Sequence, residues 1–583
     1  IEELGLLKMD FLGLRTLTVI QDAERLINKR GDVSFDISKI DYNDRNVLEM
    51  IGQGKTEGVF QLESMGMKNF MKELKPDGIE DLIAGISLYR PGPMDFIPQY
   101  IAGKNDKTSI TYACKELEPI LKETYGCIVY QEQVMQIVRD LAGYTLGRSD
   151  LVRRAMSKKK QAVMEKERHN FIYGNEEENV AGCIAKGIDE SVASHIYDTM
   201  MDFAKYAFNK SHAACYAFVA FRTAYLKYYY PVEFMAALMT SVLDNTTKVA
   251  QYIVTCRNMG IEILPPDINE GEGTFTAASD SSIRYGLSAI KSLGRPVIEA
   301  IVEERANGGR FKDIKDFISR LSGKEVNKRT VESFIKSGAF DSFGLTRKQM
   351  MLVYGDITDK VSSERKTEIS GQMSLFDMFA PDEKPDEITI PDVGEYTKSE
   401  LLAMEKEVLG IYASGHPLDE YEGLLNKNVT CTTADFIPDD ETGMPKVNDD
   451  ERVIVGGMIA ECSVKNTRQG QNMAFLKLED RVGTVEVIVF PKVYRDNRKY
   501  IEADDKVFVK GHVKVDEETG GKVICDSIIP FSQIPKECWI KFPDKESYLA
   551  KEQELYAIIN TSDGNDRVIV YLEKGQLRKC LFP

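Results

Sequence analysis

The sequence predicts a multidomain α+β chain, mainly α-helical at first and followed by an all-β barrel. Three observations carry that expectation. The chain has 583 residues, more than one hydrophobic core accommodates, so several domains each bury their own interior. Stretches such as 15–29, 211–225 and 296–304 read as helices, some behind residues suited to capping them. From Arg452 to Phe531 the apolar period turns to two in five segments, with a short helical insert near Tyr494 to Ile501, which reads as an OB-fold barrel.

Charge and cysteine usage narrow the classes. A formal charge of -17 excludes a nonspecific nucleic-acid coat, because the field of the whole body repels phosphates. Any nucleic-acid contact is therefore local, and Arg148 to Arg168 is the basic stretch that offers one. Ten cysteines occur with no C-x-x-C pair, which speaks against a zinc ribbon or a disulfide framework and for reduced, cytoplasmic thiols. No apolar run reaches the length of a membrane span. The chain opens on Ile1 and stops at Pro583 just after a strand-like stretch, so it is expected to be a piece of a longer protein.

At the start, Leu7, Met9 and Phe11 alternate with Lys8 and Asp10, the pattern of a strand. Side chains two apart project from one face about 6.6 Å from each other. A cation and a carboxylate thus stand together where an anionic substrate and its metal can be held, although a surface ion pair on an edge strand fits the same spacing. Residues Gln53-Gly54-Lys55-Thr56 invite a phosphate-loop reading, but Glu49 stands where that pattern requires glycine. In Leu88-Tyr89-Arg90-Pro91-Gly92-Pro93-Met94 the prolines stiffen the backbone around Arg90, which suits a phosphate contact. Ser149 or Asp150 can cap a helix carrying Arg153, Arg154, Lys158, Lys159 and Lys160, a phosphate-attracting face or simply a solvated one.

Ser211 or Asn209 can cap a helix whose Ala214, Phe218, Phe221 and Tyr225 form a buried stripe. The dipole at that helix start, flanked by Lys210 and His212, attracts anions. Near Lys291 and Lys336, helix-to-glycine arrangements at Tyr285–Glu304 and Val331–Phe340 suit backbone contacts to duplex phosphates. Residues 354 to 400 are polar and interrupted by Pro381, Pro385 and Pro391, reading as an extended linker. In the barrel, Lys465, Arg468 and Lys477 with Phe475 or Phe490 suit single-stranded nucleic acid, while Phe490 fits the barrel core slightly better. Leu555 to Leu572 reads as two strands around Asp563-Gly564-Asn565-Asp566.

The run from Leu6 to Leu17 closely resembles the palm segment of the bacterial DNA polymerase III alpha subunits of the DnaE type. Gly58–Ser64, Met65–Met67, Leu88–Met94, Tyr125–Met135, Leu141–Asp150, Phe208–Ala214, Tyr230–Ala237 and Glu405–Leu418 are similar to the same family in the same order. The barrel's place after the fingers favours the DnaE arrangement over the related PolC type. The resemblance implies a palm edge at 1–25, fingers at 26–255, tandem helix-hairpin-helix elements at 256–345 and a linker at 346–400. A connector at 401–450, the OB-fold at 451–531 and an incomplete subunit-binding region at 532–583 follow.

By that resemblance Asp10 is a catalytic, metal-binding carboxylate. Lys8, Arg90, Arg153, Arg154, Lys210, Ser211 and His212 contact the nucleotide. Lys158, Lys159, Lys160, Lys291, Lys336, Lys465, Arg468, Lys477 and Phe475 contact DNA. Gln372-Met373-Ser374-Leu375-Phe376 fits the sliding-clamp peptide, in which a short mobile segment inserts apolar anchors into a groove.

The implied reaction is template-directed nucleotidyl transfer with two Mg2+ ions. Its implied partners are primer-template DNA, single-stranded template, dNTPs, the sliding clamp and a clamp-loader subunit bound through the C-terminal region, with no membrane. The family's other two carboxylates sit in an Asp-x-Asp motif that this chain does not contain, so this piece is expected to be inactive alone. Two further readings stand beside it: a non-catalytic DNA- and clamp-binding scaffold, and an OB-fold RNA-binding protein.

Overall fold

The computed structural model describes residues 9, 13–31, 34–90, 93–157, 161–204, 208–321, 326–370, 389–437, 445–467, 469–516, 520–534, 537–561, 567–572 and 578–581. The chain divides into two compact units, Ile1–Gly415 and His416–Pro583.

The first unit is helical because its apolar residues recur on single helix faces, and among the described residues they gather into three interiors. Arg15–Lys29 is helical as expected and buries Val19, Ile20, Ala23 and Ile27 on one stripe. That stripe packs against Pro231–Thr240, a helix apolar nearly all round and buried accordingly. A second interior joins Arg45–Gly52, Met65–Leu74 and Ile79–Leu88 to one face of Lys210–Tyr229. The buried residues on that face are Ala213, Ala217, Ala220, Phe221 and Ala224. The stripe expected from the aromatics is therefore largely replaced by alanines, which let the two backbones approach, while Phe218 stays 37% exposed. A third interior is formed by Gln131–Ala142, Leu146–Ser157, Gln161–Tyr173 and Glu190–Ala204.

Next comes a small sheet that the sequence reading did not foresee: β1 (Glu262–Leu264), β2 (Thr276–Ser279) and β3 (Ser282–Arg284), in the order β1-β3-β2. Its strands are three or four residues long, too short for an alternation to show. Helices Arg295–Gly308, Ile314–Leu321 and Lys328–Ser337 follow, the last capped by Asn327 and ended by Gly338 at φ 82°. A Cβ at Gly338 would lie 2.2 Å from Arg347 Nη2, so that turn needs glycine for space as well as for its left-handed backbone.

The span read as extended is partly helical. Arg347–Ser370 is a helix because Met350, Val353, Ile357 and Val361 recur at helical spacing and are buried. Lys398–Leu409 is a second helix, with a Thr397–Glu400 capping box and Gly410 at its end. The clamp-like peptide Gln372–Phe376 lies outside the described residues.

In the second unit β4 (Arg452–Asn466), β5 (Asn472–Glu479), β6 (Thr484–Val489), β7 (Lys506–Asp516) and β8 (Gly520–Pro530) close into a barrel. The order is β4-β5-β6-β8-β7, with β6 and β8 parallel and the other pairs antiparallel. Alternate residues such as Val453, Val455, Leu476, Leu478, Val487, Val509 and Val523 fill the inside, and the expected helical insert is Pro491–Asn497. At the bulge beside Gly511 a Cβ would meet Ile524 O at 2.1 Å, so only glycine lets β7 turn that corner. Phe490 is not core: it precedes the insert and is 48% exposed.

Beyond the barrel β9 (Glu537–Phe542) pairs parallel with β10 (Arg567–Leu572), and β11 (Arg578–Leu581) pairs antiparallel with β10. Between β9 and β10 runs the helix Lys545–Asn560, capped by Asp544. Leu555 therefore lies in a helix rich in Lys, Glu, Leu and Ala, good helix formers, and not in a strand. Among the described residues no helix is long and apolar enough to cross a membrane. Cys114, Cys127, Cys183, Cys215, Cys256, Cys431, Cys462 and Cys525 are free thiols, and burial pushes Cys127, Cys183, Cys256 and Cys525 up to about 12.

Candidate functional site

Four segments meet at the start of the helix Lys210–Tyr229. Phe208 forms a parallel bridge with Tyr130, and its carbonyl accepts from Gln131 N at 2.9 Å. That bridge fixes where the next residues turn into the helix. Asn209 is the cap: its Oδ1 accepts from His212 N at 2.9 Å, so of the two candidates Ser211 is not the capping residue. Ser211 and His212 are exposed on the first turn, and the His212 ring stands 5.4 Å from Phe208 and 4.4 Å from Tyr216.

Arg90 and Lys210 both stand at that helix start. Arg90 leaves the end of Ile79–Leu88 and lays its guanidinium 3.9 Å above the centre of the Phe208 ring. It is exposed, and among the described residues no carboxylate pairs with it. Lys210 is held differently: its Nζ is 2.7 Å from Glu123 Oε1 and 3.3 Å from Glu80 Oε2, and 5.2 Å from the centre of the Tyr130 ring. Burial works against its charge, but Glu123 and Glu80 outweigh that and keep the ammonium's pKa above the usual lysine value. Glu132 completes the ring of acids, accepting from the Lys210 backbone N–H at 3.1 Å and from Asn209 Nδ2 at 2.9 Å.

Arg153 reaches the same corner, since its Nη1 donates to Gln131 Oε1 at 3.1 Å. The expected cap, however, is wrong. The helix begins at Leu146, Arg148 N donates to Thr145 Oγ1 at 3.4 Å, and Asp150 lies inside it. Asp150 pairs with Arg153 at 2.8 Å and with Arg154 at 2.7 Å, and the Arg153 hydrogen bond in particular holds its carboxyl below the usual range. Lys158, Lys159 and Lys160 fall outside the described residues, as do Lys8 and Asp10. The structure therefore brings together Arg90, Arg153, Lys210, Ser211 and His212, and gives no position for Lys8 and Asp10. Glu80, Glu123 and Glu132 escaped the sequence reading because carboxylates so far from Lys210 in sequence leave no local signal.

The phosphate-loop lookalike is structural: Thr56 is fully buried and its hydroxyl donates to Leu62 O at 2.6 Å. Of the cations placed on the helical hairpins, Lys291 is exposed and among the described residues has no ion pair. Lys336 is engaged within the protein, 2.9 Å from Glu407 and 3.0 Å from Glu332. On the barrel, Ser463 of β4 stands opposite Phe475 of β5, and Lys465 reaches back over that ring at 5.0 Å. Lys477 pairs with Glu461 at 3.3 Å on the same outward face, and Arg468 lies outside the described residues. A ring with a cation over it on an open barrel face is an arrangement on which a base can stack.

A family model described as the bacterial DNA polymerase III alpha subunit finger domain matches residues 16–179. A helix-hairpin-helix motif matches 260–350, and an OB-fold nucleic acid binding domain matches 453–531. The chain is 41% identical to the DNA polymerase III subunit alpha of Thermus aquaticus over 526 residues, covering 89% of this chain and 41% of that protein. It is 38% identical to the subunit of Mycobacterium tuberculosis over 587 residues, covering 98% of this chain and 48% of that protein. The Vibrio cholerae subunit is 40% identical over 534 residues, covering 89% of this chain and 44% of that protein. The chain thus spans less than half the length of these relatives. Among solved structures, an asparaginyl-tRNA synthetase from Pyrococcus horikoshii matches 15% of this chain and 20% of its own at 22% identity, with a TM-score of 0.13, and bears on neither fold nor function.

Proposed function

Because the chain belongs to the family of bacterial DNA polymerase III alpha subunits, we propose that it serves DNA-directed DNA synthesis, seating the incoming dNTP and gripping the DNA. The observation that carries this is that Arg90, with no carboxylate partner among the described residues, lies over the Phe208 ring, while Lys210, two residues on, opens the helix with its ammonium near the Tyr130 ring. A guanidinium and an ammonium at one helix start suit a chain of phosphates, which a single surface lysine does not. The hairpin region would hold duplex phosphates near Lys291, and the outward barrel face at Phe475 and Lys465 would hold single-stranded template.

Among the described residues no group of three or more carboxylate, imidazole or thiol side chains could hold a metal, and Asp10 lies outside them. The described residues therefore do not form a site for the Mg2+ pair. The activity, the clamp and clamp-loader contacts and a cytoplasmic place belong to the same reading, supported by what the relatives are.

Lys210→Ala is expected to weaken dNTP binding by roughly ten- to a hundredfold, the loss of one charge-assisted phosphate contact. Titration with a fluorescent dNTP checks it, and unchanged affinity rejects the seat. Changing Gln372→Ala together with Leu375→Ala is expected to bring clamp binding down to background in a surface-immobilised assay. Full binding by that double variant would place the clamp contact elsewhere.

A further inference from the structure

We infer that Glu123 and Glu80 are affinity-setting residues of the nucleotide seat, holding Lys210 while the seat is empty and releasing it to the phosphates when a nucleotide arrives. This rests on the reading of Lys210 as a phosphate contact.

The two carboxylates come from separate elements, Glu80 from the first turn of Ile79–Leu88 and Glu123 from the short turn Lys122–Thr124. Both reach the one ammonium, at 3.3 Å and 2.7 Å. Each acid side chain is about half exposed, at 54% and 51%, so it can swing into water with little loss, whereas Lys210 is only 29% exposed. The ammonium is thus the fixed member of the cluster and the carboxylates are the exchangeable ones. Glu132 differs from them: it takes the backbone N–H of Lys210 and the amide of Asn209, so it orders the helix start and does not compete for the ammonium.

A phosphate therefore exchanges one set of oxygen acceptors for another at Lys210, and its net gain is the difference between them. The apparent affinity is reduced by the fraction of Lys210 held by carboxylate. The same exchange works in reverse as pyrophosphate departs, because Glu123 and Glu80 supply the partner to which Lys210 returns.

The test is equilibrium binding of dATP to this chain. Glu123→Gln is expected to tighten it about threefold, and Glu80→Gln with Glu123→Gln about tenfold, the size expected for half-exposed ion pairs. Both gains should vanish in a Lys210→Ala background, which separates an effect through the ammonium from a general change of field. Unchanged or weaker binding in the Gln variants, or an equal gain without Lys210, overturns the inference while the seat stands. If Lys210→Ala alone leaves dATP binding unchanged, it is the seat itself that fails.

Discussion

Arg347→Met is expected to destabilise the N-terminal unit by roughly 4 kcal/mol, seen as a fall in the urea midpoint with little change in slope. Arg347 opens the helix Arg347–Ser370 and is only 4% exposed. Its guanidinium donates to both Asp341 oxygens at 2.9 and 2.7 Å, to Glu405 Oε1 at 3.1 Å and to Lys336 O at 3.3 Å. Glu405 is fully buried, and its other oxygen accepts from Ala413 N at 2.8 Å and Ser414 N at 2.9 Å. One arginine thus ties the end of the hairpin region to the chain after Lys398–Leu409.

Taking the guanidinium away leaves Glu405 buried without a counter-charge, the situation in which an ion pair matters most. Arg347→Lys keeps the charge but loses the fork, so it should recover only part of the loss. Arg347→Met together with Glu405→Met removes both charges and should be milder than the single change. A single variant within 1 kcal/mol of wild type would mean that water reaches Glu405 and that this tie contributes little.

What could be read beforehand and what could not divide along one physical line. The barrel strands were legible because inward residues such as Leu476 and Leu478 alternate with outward ones, and that period survives in any short window. The helix from Arg15 to Lys29 was legible from its own residues in the same way. The helix Arg347–Ser370 was not, because its polar exterior resembles a linker and only the buried Ile357 and Val361 betray it. The site was half legible. Lys210 and Arg90 announce themselves by charge and by stiff or capped backbone, but Glu80 and Glu123 acquire meaning only once the fold carries them to Lys210. For the same reason Asp150 was read as a cap, when its role is set by Arg153 and Arg154 on the next turn.

The same long-range logic governs the second large effect. Lys227→Met is expected to cost about 3 kcal/mol near neutral pH and distinctly less in acid. Lys227 lies on Lys210–Tyr229 with its side chain 5% exposed, and its ammonium donates to Lys55 O at 3.0 Å and Glu57 O at 2.9 Å. It also pairs with Glu57 Oε2 at 3.2 Å, while Lys68 donates to the other carboxylate oxygen of Glu57. Burial raises the Glu57 carboxyl, but Lys227 and Lys68 together overcome it and bring the pKa from 4.5 down to about 2.

A lowered carboxylate contributes stability above its unfolded pKa and loses that contribution as pH falls through the folded value. The share of the Lys227 effect that runs through Glu57 should therefore be whole at pH 7 and shrink between about 4.5 and 2. The share that runs through the Lys55 and Glu57 carbonyls does not titrate and should persist. Glu57 keeps a third of its side-chain exposure, which holds the total below that of a fully dry pair. Denaturant unfolding of both proteins at pH 7, 4 and 3 separates the two shares. A gap that stays constant down to pH 3 would assign the whole effect to the carbonyls and leave Glu57 to Lys68 alone.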